Sequence, residues 1–289
     1  MTQEKNKVLP STLYLVGTPI GNLADMSERA KKVLSEVDFV AAEDTRNSMK
    51  LLSLFDIRKE MVSYHEHNKK ASGERICARL LAGESCALIT DAGMPAISDP
   101  GEDLVKLCAE SGIVVSVVPG PSAVVSALAL SALSTVRFAF EGFLPPQKSE
   151  KKKRLEKVKF DDKTLVFYEA PHKLKSTLYD MAEVFGECRK ISLCRELTKL
   201  NEEIQRFTLG EAIVHYEANE PRGEYVLVVE GYDGAIPVDG DDLTLLEPKD
   251  HVQKYEDDGM KRMDAIKRAA KDRGISKSEM YKLLLDETE

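Results

Sequence analysis

The sequence predicts an α/β protein built as two α/β domains with a ligand cleft between them, followed by a small helical appendage. Three observations predict it. Through the first 118 residues, short apolar runs alternate with segments of helical period, the pattern of a parallel sheet covered by helices. After Pro119-Gly120-Pro121 the pattern changes to closely spaced strands with fewer helices. An acidic stretch then precedes two last helical segments.

The apolar runs at 13–16, 39–42, 61–65, 86–90 and 113–118 read as strands, with helices at 27–36, 47–55, 71–82 and 101–111. The runs are continuously apolar rather than alternating, as strands buried on both faces are. This first domain is assigned residues 1–119. A small-residue helix follows at 122–133, then strands at 138–143, 164–169, 190–196, 203–208 and 224–231. Helices at 172–185 and 211–218 lie among them, which predicts a second domain over 120–231 with a mixed sheet. Residues 232–259 read as an acidic linker, and 260–289 as two helices around Gly274 resembling a helix-turn-helix. Gly274 suits the position after a helix end, and Ser276 suits the cap of the next helix.

Composition fits this picture. The chain has 289 residues, 43% hydrophobic and 31% charged, which excludes disordered and fibrous classes. No run of about 18 uncharged apolar residues is present. The N-terminal segment has no secretory signal pattern, and the five cysteines form no C-x-x-C pair. Both features predict a cytoplasmic protein with reduced thiols. Net charge is −8, but residues 230–258 alone hold ten acids against two bases. Residues 148–163 hold eight bases against four acids, a local basic patch of the kind that meets nucleic acid.

In a parallel sheet, ligands bind beyond the carboxyl ends of the strands. The loop after the first strand, Gly17-Thr18-Pro19-Ile20-Gly21-Asn22, is glycine-rich. It lacks both G-x-G-x-x-G and the P-loop pattern, which argues against a nicotinamide or nucleotide-triphosphate site. The loop after the fourth strand runs Asp91, Ala92, Gly93, Met94, Pro95, Ala96, Ile97, Ser98, Asp99, Pro100. Its small residues let backbone approach a ligand closely, and its length argues for function. Asp99 also suits the start of the next helix. The loop after the fifth strand, Pro119-Gly120-Pro121-Ser122, faces the same way and joins the domains, so a site between domains follows.

Glu43, Asp44 and Arg46 end the second strand and offer proton handling or substrate contact; a helix cap by Asp44 or Thr45, with Glu43 paired to Arg46, fits equally well. His65 and His67 lack the further ligands a zinc site needs, so no metal is expected. In the second domain, Tyr168 to Lys173 and Cys194 to Lys199 end strands with charges that can face the cleft. No nucleophile elbow or Cys/His pairing points to hydrolysis.

Taken in order, VGTPIGNLADMSERA, VAAEDTRNSMKLL, ITDAGMPAISDPG, VVPGPSAVVSAL, FEGFLP, FYEAPHKL, CRELTKLNEEI and GEYVLVVEG resemble the tetrapyrrole-methylase-fold family. TPIGN with AEDTR and EAPHK is closest to that family's ribosomal-RNA branch, which modifies a ribose 2′-hydroxyl. The resemblance covers roughly Thr12 to Gly231. It implies the tetrapyrrole methylase fold and S-adenosylmethionine (SAM) bound in the interdomain cleft. It further implies methylation of a cytidine of 16S rRNA near the ribosomal P site, by a cytoplasmic homodimer. Carried over by position, the SAM-binding residues are Asp91 to Ser98, Pro119, Gly120, Pro121 and Ser122, with Phe143 and Leu144. Met94 stands where the family usually has a small residue, a change that a backbone-lined site tolerates.

Methyl transfer to a hydroxyl needs alignment, a dry site and a base for the weakly acidic hydroxyl. Glu43, Asp44 and His65 on the first-domain rim and His172, Glu196 and Lys199 on the second are the candidate groups; Glu43 with Asp44 and Arg46 is the preferred catalytic cluster, with Arg46 on a phosphate. Lys151, Lys152, Lys153 and Arg154 are expected to clamp RNA phosphates, a solvated amphipathic helix being the alternative. A tetrapyrrole methyltransferase and a non-catalytic RNA-binding protein are the competing functions. The basic segment and the terminal helices argue against the first, and the glycine–proline loops argue against the second.

Overall fold

A computed structural model describes residues 7–234, 246–257 and 259–285. Two compact units result, Met1–Gly231 and Tyr232–Glu289.

The larger unit begins with five parallel strands, β1 (Thr12–Val16), β2 (Phe39–Ala42), β3 (Glu60–Ser63), β4 (Cys86–Ile89) and β5 (Val114–Val118), in the order β3-β2-β4-β1-β5. Helices α1 (Glu28–Glu36), α2 (Thr45–Ser53), α3 (Lys69–Leu81) and α4 (Gly101–Glu110) connect them. Strand side chains alternate between two cores, as a period of two dictates. Tyr14, Val16, Val40, Ala42, Ala87 and Ile89 pack with Val33 and Leu34 of α1 and Leu52 of α2. Leu13, Phe39, Ala41, Val62, Cys86 and Leu88 pack with Ile76 and Leu80 of α3 and Leu104 of α4. The central strands β2 and β4 are buried throughout, as their apolar runs predict. The edge strand β5 is not: Val114 and Val117 are exposed. Local chemistry sets the starts of the first two helices. Ser27 caps α1 by accepting from the Ala30 amide, and Asp44 caps α2 by accepting from the amides of Arg46 and Asn47.

The chain then enters α5 (Ala123–Leu130) and a second sheet of β6 (Phe138–Phe143), β7 (Thr164–Glu169), β8 (Lys190–Arg195), β9 (Glu203–Thr208) and β10 (Tyr225–Val229). Its order is β6-β7-β10-β8-β9; β6 runs parallel to β7 and the other pairs are antiparallel. Helices α6 (Lys148–Val158), α7 (Pro171–Phe185) and α8 (Leu209–Ala218) complete the unit. Leu155, Leu174, Leu178, Met181 and Ala212 from these helices pack on Leu165, Phe167, Leu193 and Leu227 of the sheet. Val124, Ala127 and Leu128 of α5 cover the opposite face through Val166, Cys194, Val226 and Val228.

The smaller unit corrects the expectation for the C-terminal region. Part of the segment read as linker, Pro248–Asp257, is a helix, α9, and it packs with α10 (Arg262–Asp272) and α11 (Lys277–Leu285). Residues 235–245 and 258 of that segment lie outside the described residues, as do 286–289 of the appendage. A small core of Val252, Ala265, Ile266, Ala269, Ala270 and Met280 joins the three helices. Gly274 takes a left-handed φ of 65° after α10, and Ser276 and Glu279 exchange side chain–backbone hydrogen bonds at the start of α11. Met263 of α10 stays exposed.

Candidate active site

The loops after β1, β4 and β5 converge. Thr18 and Gly93 exchange both backbone hydrogen bonds, at 2.9 and 3.1 Å, so the first and fourth loops form a miniature ladder. The Thr18 hydroxyl donates to the Thr90 carbonyl at 3.1 Å. The Gly17 amide donates to the Val118 carbonyl at 3.1 Å. Gly93 has a φ of 83° and Ala96 and Ser98 have φ values of 67° and 63°. Left-handed backbone at two non-glycine residues is strained and persists only when surrounding bonds over-determine it. Asp99 supplies those bonds: its Oδ1 accepts from the amides of Ala96 at 3.0 Å and Gly101 at 2.7 Å.

Beside these loops lies a cavity of about 610 Å³, within the range of small-molecule sites. Its first-domain wall is Ile20, Glu43, Thr90, Asp91, Ala92, Gly93, Met94, Ile97, Ser98 and Asp99. Ser122 and Ala123 at the start of α5 close one side. The second-domain wall is Phe143, Tyr168, Glu169, Ala170, Pro171, His172, Cys194, Leu197, Lys199, Glu224, Tyr225 and Val226. The two walls are fastened together. A Cβ on Gly21 would fall 2.4 Å from Lys199 Cγ and 2.9 Å from Thr198 Oγ1. Lys199 is held in turn by Glu196 at 2.8 Å and Glu224 at 2.9 Å. Glu196 and Thr198 also have left-handed φ values, 51° and 65°.

The electrostatics are one-sided. Glu43 faces the carboxylates of Asp91 and Asp99. Partial burial, then repulsion by these two, pushes its pKa above the usual carboxylate value, while His65 opposes the shift. Glu169 is buried, accepting from the Ala170 amide at 2.9 Å and the Thr177 hydroxyl at 2.5 Å. Burial also raises the Tyr168 phenol.

Several residues expected at the site stand elsewhere. Of the Glu43–Asp44–Arg46 cluster, only Glu43 reaches the cavity. Asp44 caps α2 and pairs with Arg46 at 3.1 Å, and the Arg46 side chain is otherwise exposed. Leu144 packs in the core under α6 and α7. Pro95, Ala96, Pro119, Gly120 and Pro121 shape the loops but do not form the cavity wall. The basic clamp dissolves: Lys151 is 8% exposed and pairs with Asp180 at 2.8 Å. Lys152 pairs with Glu183, and Arg154 with Glu141 at 2.5 Å. Lys153 alone of the four is exposed with no ion pair among the described residues. The histidines follow β3 rather than lying on it, and no three-residue metal-ligating group exists among the described residues.

Glu224, Tyr225 and Val226 were not anticipated. They lie at the start of β10, Glu224 just before it, and a search of strand carboxyl ends passes over them. In an antiparallel pair the start of one strand lies beside the end of the next, and Tyr225 sits opposite both Glu169 and Arg195.

Comparison with known proteins follows this geometry. Residues 12–213 match the family described as Tetrapyrrole (Corrin/Porphyrin) Methylases. A uroporphyrin-III C-methyltransferase from Thermus thermophilus, solved with S-adenyl homocysteine, superposes with a TM-score of 0.54 at 18% identity, covering 76% of this chain and 97% of that one. A cobalt precorrin-4 methyltransferase superposes at 0.57 with 16% identity, over 76% and 95%. The chain belongs to the tetrapyrrole methylase family and is a methyltransferase.

Within the family the similarity is specific. Ribosomal RNA small subunit methyltransferase I of Halalkalibacterium halodurans is 47% identical over 272 residues, 94% of each chain. The protein of that name from Escherichia coli O157:H7 is 40% identical over 281 residues, 95% of each chain.

Proposed function

We propose that this protein transfers the methyl group of SAM to the ribose 2′-hydroxyl of a cytidine in 16S rRNA, near the P site of the small ribosomal subunit. The observation that carries the reading is the joint one: a cavity walled by glycine–proline loops, in a chain similar along almost its whole length to small-subunit rRNA methyltransferases.

The residues present fit the donor. Gly17, Gly93 and Gly120 hold the loops together where side chains would collide or strain, and the wall they leave is largely backbone and small side chains. Glu43, Asp91 and Asp99 give that wall a negative potential suited to a cation. Asp91, Ala92, Gly93, Met94, Ile97, Ser98 and Ser122 are the residues proposed to hold it, with Pro95, Ala96, Pro119, Gly120 and Pro121 shaping the loops behind. SAM supplies an activated methyl group on a positively charged sulfur.

The chain's own part is to orient the acceptor, exclude water and take a proton. Glu43 is proposed as the proton acceptor for the ribose hydroxyl, since its raised pKa brings it nearer the operating range of a base. Lys153 contributes a phosphate contact from outside the cavity. The protein acts in the cytoplasm as a homodimer; the exposed Val114 and Val117 of β5 and Val125 of α5 support a self-association face. No described helix is long and apolar enough to cross a membrane.

The deciding experiment is calorimetric titration with SAM followed by transfer of labelled methyl to purified, unmodified small ribosomal subunits. SAM binding with label in the 16S rRNA is expected. SAM binding with no transfer to the subunit would overturn the rRNA assignment.

A further inference from the structure

Strand β6 carries an irregularity that a regular strand of this sequence would not need. Its register with β7 pairs Ala139 with Leu165 and Phe140 with Val166, then jumps to pair Gly142 with Phe167 and Phe143 with Tyr168. Glu141 is the extra residue of a β-bulge, and Gly142 follows it with a φ of 67°. The bulge changes which face Phe143 occupies. Side chains alternate along a strand, so without it Phe143 would fall on the face of Ala139, Leu165 and Phe167, toward the core beneath α6 and α7. With it, Phe143 joins Phe140, Val166 and Tyr168 on the face that carries the cavity.

The result is an aromatic side chain turned from the core face of the sheet and left 62% exposed at the cavity wall. A phenylalanine left in water contributes none of the stabilisation that burial of its ring would give. The ring is nevertheless steadied from behind. Tyr168 lies 5.4 Å from Phe143 between ring centroids, and Phe140 lies 4.9 Å from Tyr168. The bulge itself is pinned. The Glu141 side chain, 7% exposed, pairs with Arg154 of α6 at 2.5 Å, and a Cβ on Gly142 would meet Ser98 Oγ of the fourth loop at 3.3 Å. A braced ring with one open face at a cavity wall is the arrangement that stacks a planar heterocycle.

We infer that Phe143 is the stacking platform for the acceptor nucleobase, and that Arg154 positions it by anchoring Glu141 rather than by meeting RNA phosphate. The inference rests on the rRNA reading above. A nucleotide inside a folded RNA reaches an enclosed cavity only when it leaves its stack, and an aromatic face repays part of that lost stacking. The donor's adenine is the other heterocycle in the reaction. The family resemblance places Phe143 with the donor, but the wall proposed for the donor is the first-domain loops, whereas Phe143 belongs to the opposite, second-domain wall.

The test compares wild type, Phe143→Ala and Phe143→Trp for methyl transfer to small ribosomal subunits, with SAM affinity measured separately by calorimetry. Phe143→Ala is expected to raise KM for the subunit about ten-fold, with SAM affinity and thermal midpoint unchanged, and Phe143→Trp to restore KM. Arg154→Ala is expected to raise the same KM without lowering the salt dependence of subunit binding, which a lost phosphate contact would lower. An unchanged KM in Phe143→Ala, with wild type active, would overturn the inference alone. A parallel loss of SAM affinity would assign the ring to the donor and overturn it too. Failure of the wild type to methylate the subunit would instead overturn the rRNA reading beneath it.

Discussion

Gly17 and Gly120 face each other with no room for a side chain on either. A Cβ on Gly17 would lie 2.7 Å from the Gly120 Cα, and a Cβ on Gly120 would lie 2.8 Å from the Gly17 Cα. The loops after β1 and β5 therefore touch backbone to backbone, and the loop after β4 joins them through Met94, whose sulfur lies 2.7 Å from the same Gly17 position. Neither obstructing backbone can yield as a flexible side chain would. Gly17→Ala should force the loops apart, lowering stability by about 1–3 kcal/mol and weakening SAM binding more than ten-fold. Thermal unfolding with SAM calorimetry checks both; a variant with wild-type affinity would mean that this contact does not shape the donor site.

Gly93 differs, because space is not its constraint. The nearest atom to a Cβ there is at 3.4 Å, an ordinary contact, but φ is 83°. A side chain is strained by the backbone itself, by about 1–2 kcal/mol. The residue also exchanges two backbone hydrogen bonds with Thr18. Gly93→Val should lower SAM affinity and modestly lower the thermal midpoint, with the β-branched side chain worse than Gly93→Ala. Equal SAM affinity for Gly93→Val and wild type would remove this loop from the donor site.

How much of this was legible in the sequence depended on whether one period dominated a segment. Phe39–Ala42 and Cys86–Ile89 are apolar at every position, and both proved buried throughout. The glycine–proline loops marked the first-domain wall because those residue types have few other uses after a buried strand. Lys151 was missed because five bases within seven residues look like a solvated face. Yet Lys151, Leu155 and Val158 are spaced i, i+4, i+7, and all three are buried; the period held the signal and the charge concealed it. Helix α9 was hidden likewise: its acidic surface outweighed the three buried residues Pro248, His251 and Val252. The bulge at Glu141 had no signal beyond Gly142, since FAFEGF also reads as a regular strand.

The Glu43 assignment makes a prediction in pH. Its pKa lies above the ordinary 4.5 through burial and the neighbouring Asp91 and Asp99. A base works when deprotonated, so kcat/KM should rise with pH through an acid limb centred above 4.5. The same shift has a stability sign. A carboxyl with a raised folded pKa favours the folded state while protonated, and that contribution fades as pH rises through the folded pKa. Glu43→Gln should therefore abolish the limb and most of the activity with the fold in place, and should weaken SAM binding only modestly, since Asp91 and Asp99 keep the wall negative. Retention of the acid limb in Glu43→Gln would assign it to another group.

The basic helix α6 now divides into two kinds of lysine. Lys151 and Asp180 form a largely buried pair, and removing one partner leaves the other charge uncompensated. Lys151→Ala should cost roughly 3 kcal/mol of stability with no specific effect on RNA affinity once the protein is folded. Lys153 is exposed, so Lys153→Glu should leave the thermal midpoint alone. It should lower the slope of log affinity for small subunits against log salt by about one or more. If the two variants exchanged these phenotypes, the division would be wrong.

The smaller unit has its own core, but a slight one. Among the described residues its buried apolar cluster is Val252, Ala265, Ile266, Ala269, Ala270 and Met280, and four of these six are alanine or valine. Such a core stabilises three short helices weakly, so the unit should melt below the larger one. Every residue of the cavity wall lies at or before Val226, and the larger unit ends at Gly231. Ending the chain after Gly231 should therefore leave a folded protein with unaltered SAM affinity. Residues 259–289 carry eight bases against six acids, too even a balance to dominate binding to RNA. The shortened protein should accordingly lose methylation of small subunits through a raised KM, with kcat at saturating subunit nearly kept. Loss of SAM binding on truncation would place the helices within the donor site. An unchanged KM would remove them from substrate docking.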